Sequence, residues 1–298
     1  MSNTKKLRGL LRSKPLVVAM GAFDGLSAKL VAETSFDAVY VGGHSVAATY
    51  GFPDVGLTTA TEVLQRAEVI VDSVEMPVII DADTGYGGIV NARRFVRQCE
   101  KAGVAGFHIE DQEFPKKCGS YRGISLVSDS EMVGKLQAVL DARTDPDFLV
   151  IARTDAVGAE GVERAIERGQ AYAAAGADAV MVMGARGFSP AKMRQFAQSI
   201  DVPTVWIWAE SQHWVRNEPI LSLDQVQQLG FRMCVSPLAA LYAAAKAMRH
   251  VLAEIERAGT SEHVLDQLLD FEEVGRIVGL PAVYELEERF ADKAEVVR

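Results

Sequence analysis

The sequence predicts an α/β fold, a parallel (β/α)8 barrel with an extra C-terminal helical tail. Three observations carry this. Eight short apolar, β-branched runs recur along the chain, and amphipathic stretches alternate with them. The runs are near-continuously apolar rather than alternating, as strands are when both faces are covered. A doubly wound sheet fits less well, because no Gly-x-Gly-x-x-Gly follows the first run.

In chain order the strand segments are "PLVVAMGAFD" (15–24), "FDAVYVGG" (36–43), "MPVIIDADTG" (76–85) and "AGFHIEDQ" (105–112). They continue as "DFLVIARTDA" (147–156), "ADAVMVMG" (177–184), "PTVWIWAE" (203–210) and "FRMCVSP" (231–237). Helical patterns fall between them at 59–73, 91–103 and 161–176, the last two closing on Gly103 and Gly176, as helix C-termini often do. After the eighth run comes an Ala-rich helix (237–260), then a tail with two further helical patterns. The expected division is a barrel domain over 1–260 and a tail over 261–298. A single barrel does not need such a tail; it is left to pack on its own barrel or to reach a neighbour and support an oligomer.

The chain has 298 residues, is 49% hydrophobic and 24% charged, and carries a net charge of -9. No basic stripe is present, which argues against nucleic acid or an anionic membrane as partner. A few local Arg and Lys residues are still enough to hold a small carboxylate. Cys99, Cys118 and Cys234 are too few and too scattered for a disulfide framework or a zinc cluster. The N-terminal segment lacks the apolar stretch of a signal peptide, and no run reaches membrane-spanning length. A reducing, cytoplasmic setting is the expectation.

Barrels of this type build their sites at the C-terminal ends of the strands, and the polar residues gather there: Asp24, the Gly42-Gly43-His44-Ser45 turn, Asp81 and Asp83, Glu110-Asp111-Gln112, Arg153 and Asp155, and Glu210. Asp81 and Asp83 are spaced to share one face of an extended strand. With Glu110 one strand away they suit a hard cation, Mg²⁺ or Mn²⁺; the plainer reading makes one Asp a turn cap. Arg153 is read either as a bidentate grip on a substrate carboxylate or as a salt bridge to Asp81, Asp155 or Glu110. Cys118 sits in a Gly- and Ser-containing loop whose composition suits a lid. Lys116 and Lys117 beside it are expected to lower its pKa. Proton transfer, covalent chemistry and an incidental loop cysteine all stay open from the residues alone.

"DADTGYGG" (81–88), "IEDQ" (109–112), "PKKCG" (115–119), "IARTDA" (151–156) and "GFPDVGL" (51–57) together resemble the isocitrate lyase / phosphoenolpyruvate mutase superfamily, in order and spacing over roughly residues 7–295. The resemblance implies Mg²⁺ near Asp83, with Asp81 and Glu110 acting mostly through water. It also implies a small carboxylate substrate reacting through an enolate, and a last helix exchanged between subunits of a tetramer. On the same ground Tyr40, Gly42, Gly43, His44, Asp54, Gly119, Ser120, Arg153 and Glu210 fall to substrate binding. Cys118, with Lys116, Lys117 and Arg153, falls to catalysis. "KKCG" points to the lyase branch, which cleaves methylisocitrate or dimethylmalate, hydrolyses oxaloacetate or rearranges carboxyphosphonoenolpyruvate. There Cys118 becomes the acid–base group at the departing carbon.

Three positions depart from the lyase pattern. Ser120 stands where a histidine is usual, Met183 where a glutamate is, and Ile207 where an asparagine is. Ser120 cannot carry charge near neutral pH. Met183 and Ile207, with Trp206 and Trp208 nearby, are expected to make one wall more apolar; for the tryptophans the competing reading is core packing. The implied functions are therefore a Mg²⁺-dependent lyase for an alkyl-substituted malate-like acid, oxaloacetate hydrolysis, decarboxylation or phosphorus–carbon rearrangement on the same scaffold, or a non-catalytic metabolite binder.

Overall fold

A computed structural model describes residues 2–216 and 220–291. It divides into two compact units, Met1–Leu241 and Tyr242–Arg298. In the first unit eight strands close into a ring: β1 (Val17–Gly21), β2 (Ala38–Val41), β3 (Val78–Asp81), β4 (Gly106–Glu110), β5 (Leu149–Thr154), β6 (Ala179–Val182), β7 (Thr204–Ile207) and β8 (Met233–Ser236). Every neighbouring pair is parallel, including β1 with β8. Each falls inside a segment expected from the sequence.

Side chains alternate across each strand, and the alternation sorts two interiors. Val39, Val41, Ile80, Phe107, Ile109, Val150 and Ala152 join the apolar cluster formed with the surrounding helices. Tyr40, Asp81, His108, Glu110 and Arg153 carry the opposite parity and line the inside of the ring. The register puts Asp81 opposite His108 and Glu110 opposite Arg153.

The covering helices start and stop on local chemistry. Helix Ala60–Ser73 opens with a Thr59/Glu62 capping box. Helices Ile89–Lys101 and Val162–Ala174 run out into Gly103 and Gly176, whose φ values of 76° and 100° lie in the left-handed region. Asp24 belongs to this structural class rather than to the site, since it caps helix Gly25–Ala32 in a box with Ser27. An N-terminal helix, Asn3–Ser13, lies outside the sequence expectation. It is held by buried Leu7 and Leu11 and by Arg8, which reaches Asp178 at 2.7 Å.

The long helix Ala239–Ala258 spans the boundary between the units. The second unit continues with a 3-10 turn, Glu262–Gln267, and helices Phe271–Val278 and Leu280–Phe290. Val264 and Ile277 are buried, while Phe271 and Phe290 are 87% and 71% exposed. The expected end of the tail, 292–298, lies outside the described residues. No helix among the described residues is long and apolar enough to cross a membrane.

Candidate active site

β3 ends at Asp81, so the expectation that Asp81 and Asp83 share a face of one extended strand is corrected. Asp83 lies past the strand with φ of 46°, a left-handed conformation that Asp adopts more readily than most residues. Two backbone bonds hold it there: its amide donates to Asp81 Oδ1 at 2.9 Å, and its carbonyl accepts from the Glu110 amide at 2.8 Å. The turn brings Asp83 back beside Asp81. Gly43 packs against both, and a Cβ at that position would sit 2.9 Å from Asp83 Oδ1 and 3.1 Å from Asp81 Oδ2. The Gly43 amide donates to Asp81 Oδ2 at 3.1 Å. In this structure its acceptor is therefore a carboxylate of the protein.

These acids are buried in a dense field of charge. Lys116 Nζ lies 2.5 Å from Asp54 Oδ1 and 2.6 Å from Asp83 Oδ1. Arg153 forks onto Asp155 through Nε (2.8 Å) and Nη2 (2.9 Å), and its Nη1 meets Glu110 Oε2 at 3.0 Å and Asp81 Oδ2 at 4.0 Å. Of the two readings of Arg153, the salt bridge is the one this structure contains. His108 links Tyr40, whose hydroxyl is 2.7 Å from Nε2, to Asp81, 3.6 Å from Nδ1. Burial lowers the His108 pKa to about 4, so the ring is neutral at pH 7.

The carboxylates titrate far apart. Burial opposes ionisation of Asp81, but His108, Lys116 and Arg153 outweigh it and hold the group below the usual carboxylate range. Burial raises Asp83 to about 7, with Asp81 and Asp54 pushing the same way against Lys116. Burial also raises Glu110 well above its ordinary value. Among the described residues Glu110 Oε1 has no hydrogen-bond partner, while Glu110 Oε2 and Asp83 Oδ1 face the cations of Arg153 at 3.0 Å and Lys116 at 2.6 Å. Three convergent buried carboxylates, one of them with an oxygen that has no donor, are the oxygen ligands that a hard divalent cation takes. Asp81, Asp83 and Glu110 therefore fit such an ion.

Cys118 is reached from the other side. Its amide donates to the Asp54 carbonyl at 2.9 Å, and Gln112 ties the loop back through Lys117, donating to its carbonyl and accepting from its amide at 2.9 Å each. Ser120 Oγ donates to Ser211 Oγ at 2.9 Å. Gly119 passes so close to its neighbours that a Cβ would lie 2.7 Å from Met183 Cγ and 2.8 Å from Arg153 Nη2. Here the expected effect of the lysines is overturned. Lys116 is spent on Asp54 and Asp83, while Lys117 Nζ turns to the Arg122 and Gly123 carbonyls at 3.4 and 3.2 Å. Burial, then Asp54, pushes the thiol up to about 11.

The cleft above these groups is narrow, with a volume of about 50 Å³. Of the residues expected from the sequence, Tyr40, Gly42, Gly43, His44, Asp54, Asp81, Lys116, Cys118, Gly119, Ser120 and Arg153 line it. Asp83 and Glu110 lie buried beneath. Lys117 and Glu210 do not line it; Ala209 and Ser211, on either side of Glu210, do. Met183, Ile207, Ala209, Pro237 and Leu238 form the apolar wall. The tryptophans do not contribute to that wall. Trp206 stacks among Phe188 and Phe231 in the outer core, and Trp208 donates to the Leu221 carbonyl. A larger recess shares Gly119, Ser120 and Met183 with the cleft and is lined further by Tyr121, Arg122 and Arg186. Asp111, grouped by sequence with the mouth, accepts from Tyr172 Oη and the Asp155 amide and is structural.

Sequence reasoning placed Asp155 at the mouth as a partner for Arg153, which it is, and missed His108, whose signal is that it lies two residues from Glu110 on the same strand parity. It also missed that His44, Asp54 and Cys118 converge, with one side-chain donor atom of each within 4.8 Å of the others. Residues 44, 54 and 118 share no spacing that would reveal this.

A family model described as phosphoenolpyruvate phosphomutase matches residues 7–256. The 2,3-dimethylmalate lyase of Eubacterium barkeri is 40% identical over 98% of this chain and 99% of its own. Among solved structures, the phosphoenolpyruvate phosphomutase of Streptomyces platensis subsp. rosaceus superposes with a TM-score of 0.91 at 33% identity, covering 97% of this chain and 99% of that one. A phosphonopyruvate hydrolase solved with oxalate and Mg²⁺ superposes at 0.88 and 32% identity, covering 98% and 100%. The matched family, the full-length likeness and the shared barrel agree: the chain belongs to the phosphoenolpyruvate phosphomutase family, within the PEP mutase/isocitrate lyase superfamily.

Proposed function

We propose that the protein is a carbon–carbon lyase that works with Mg²⁺ on a 2-hydroxy dicarboxylate bearing an alkyl substituent, a substituted malate. The carrying observation is the mixed lining of the cleft, in which Cys118, Arg153, Asp54 and Asp81 share the surface with Met183, Ile207, Ala209 and Leu238. The full-length likeness to a 2,3-dimethylmalate lyase supports the same substrate class.

Asp81, Asp83 and Glu110 would hold the ion, which supplies a Lewis acid toward substrate oxygens. Tyr40, Gly42, Gly43, His44 and Asp54 bound the end of the cleft where the hydroxy-acid carboxylate would lie. Arg153, locked by Asp155, sets a fixed positive charge toward developing negative charge without reorganising. Cleavage turns the hydroxyl-bearing carbon into a keto-acid carbonyl as its O–H proton leaves. The electron pair of the broken C–C bond passes to the other fragment as an enolate, whose carbon takes a proton from Cys118. A thiol with a pKa near 11 is protonated at neutral pH, which suits a general acid better than a nucleophile. Lys116 and Gly119 fix the loop from beneath, with Lys117 and Ser120 holding its outer turn. Glu210, beside two lining residues, is assigned to the cleft rim.

We assign catalysis to the barrel portion, 1–260, and subunit contact to the tail, 261–298, in a cytoplasmic homotetramer. The exposed Phe271 and Phe290 support that contact, and light scattering on the full chain tests it. Catalysis is tested by an NMR screen with Mg²⁺ against 2,3-dimethylmalate, 2-methylisocitrate, oxaloacetate and phosphonopyruvate, beside Cys118→Ala. Keto-acid release from an alkylated substrate, lost in the variant, is expected. Turnover of oxaloacetate alone would replace the lyase by a hydrolase or decarboxylase, and silence on all four would leave a binder.

A further inference from the structure

A lyase cycle built on Cys118 is incomplete. The substrate hydroxyl gives up a proton, the enolate carbon receives the proton of the thiol, and a thiolate is left beside Asp54. One group must carry the first proton to the sulfur.

Most polar groups around the cleft cannot do so. Lys116 is held as an ammonium between two carboxylates, and Arg153 is locked in its fork with Asp155. The Tyr40 hydroxyl is bonded to His108, and burial raises its pKa well above the ordinary value. Ser120 is a neutral hydroxyl bonded to Ser211. His44 is different. It lines the same cleft, and a ring nitrogen, an Asp54 oxygen and Cys118 Sγ lie within 4.8 Å of one another. Three separate elements build this cluster: the start of helix Gly43–Thr49, the turn at Asp54 and the loop after β4. Two contacts fix it, the Cys118 amide on the Asp54 carbonyl and Lys116 on the Asp54 carboxylate. The separation is bridged by a side-chain rotation or one water, as in many unliganded acid–base pairs.

We propose that His44 is the proton partner of Cys118: its imidazole takes the substrate hydroxyl proton and returns it to the thiolate after C–H formation. The proposal rests on the lyase reading. Its balance closes, since one O–H bond breaks, one C–H bond forms, no electrons are gained or lost overall, and both residues end as they began. Burial lowers the imidazole pKa, Asp54 opposes this and Lys116 adds to it, leaving a neutral base at pH 7. On the thiol, Asp54 acts against Arg153 and Lys116, and Tyr121 also faces the sulfur.

Two measurements on the full-length protein test this, one of which needs no turnover. The first is the Cys118 S–H stretching band, isolated as the infrared difference between wild type and Cys118→Ala; Cys99 and Cys234 cancel. In wild type the band should be broadened and lowered by a bond to imidazole, and it should move up in His44→Gln. A band indifferent to His44→Gln overturns the pairing. The second is the pH profile of lyase turnover. His44→Gln should lower kcat about 100-fold with KM within threefold, and lose the acid limb expected of wild type as the imidazole protonates. His44→Ala should recover activity with added imidazole, which a merely structural role would not allow. Unchanged kcat, or no imidazole rescue in a folded His44→Ala, overturns proton return. Wild type inactive on every acid tested would sink the lyase reading, and the S–H band would still decide the pair.

Discussion

Replacing Lys116 by Met keeps most of the side-chain volume and removes the ammonium that sits 2.5 Å from Asp54 and 2.6 Å from Asp83. All three side chains are at most 6% exposed, so water can do little to replace the lost charge. At an effective dielectric near 20, each contact is worth about 6 kcal/mol of attraction before desolvation is subtracted. Breaking a buried pair of this kind costs about 3–5 kcal/mol net, chiefly by stranding the partner charges. For a chain of this size that is a fall in Tm of roughly 6–20 °C. Mg²⁺ should then act unequally on the two proteins. In the variant it supplies the counter-charge that Asp83 has lost and no longer meets a resident ammonium, so its stabilisation should exceed the wild-type value. At a hundredfold excess over Kd a ligand adds about 2.7 kcal/mol; the variant should reach that level at lower Mg²⁺. The assay is thermal unfolding of both proteins across a Mg²⁺ titration. A fall under about 2 °C, or superimposable Mg²⁺ responses, would refute the account of Lys116 as an internal counter-ion to the cation site.

Three further outcomes follow from the same geometry. Gly43→Ala drives a methyl against Asp81 and Asp83 and should weaken Mg²⁺ binding about tenfold or more, roughly 1.4 kcal/mol, by calorimetry; unchanged affinity would remove those carboxylates from the metal site. Met183→Glu puts a carboxylate into the apolar wall and should cut kcat/KM for an alkylated malate about 10–100-fold; equal turnover would show that the alkyl group lies elsewhere. His108 is neutral and buried, with a folded pKa of about 4 against an ordinary 6.5. Its contribution is fully present above pH 6.5 and is lost as pH falls toward 4, because the unfolded state binds the proton first. The loss is about 3 kcal/mol, so the stability gap between wild type and His108→Gln should narrow by that amount in denaturant titrations from pH 7 to 4. A gap that stays constant would mean that the folded protein leaves the His108 pKa at its ordinary value.

The strands are legible in the sequence because a parallel barrel buries both faces, which leaves unbroken apolar runs such as "AVYV" and "VIID". Their polar ends are legible for the same reason, since a charged residue at the end of such a run has only the mouth to face. What sequence could not supply is the partner of each charge. Lys116 and Lys117 precede Cys118 in the chain, yet the first is held by Asp54 and Asp83 and the second by two carbonyls, and burial moves the thiol opposite to the expected direction. Chain neighbours are poor guides in a loop, where the backbone rotates each side chain independently. Trp206 and Ile207 show the converse: on a regular strand parity decides, and one step separates the outer core from the cleft. Asp83 escaped the strand reading because its left-handed turn depends on its amide donating to the Asp81 side chain and its carbonyl accepting from the Glu110 amide.

Glu110 and Arg153 face each other across the β4–β5 register, and this has a bearing on how the ring assembles. A slip of one residue between strands would turn one set of inner residues outward, toward Phe107, Ile109 and Val150. An apolar strand alone would tolerate that error cheaply, since both faces are hydrophobic. A guanidinium and a carboxylate forced into the outer layer would cost several kcal/mol each with no partner. The charges that equip the mouth for chemistry thus also proofread the closure of the barrel, and a variant stripped of them would lose fidelity in folding as well as activity.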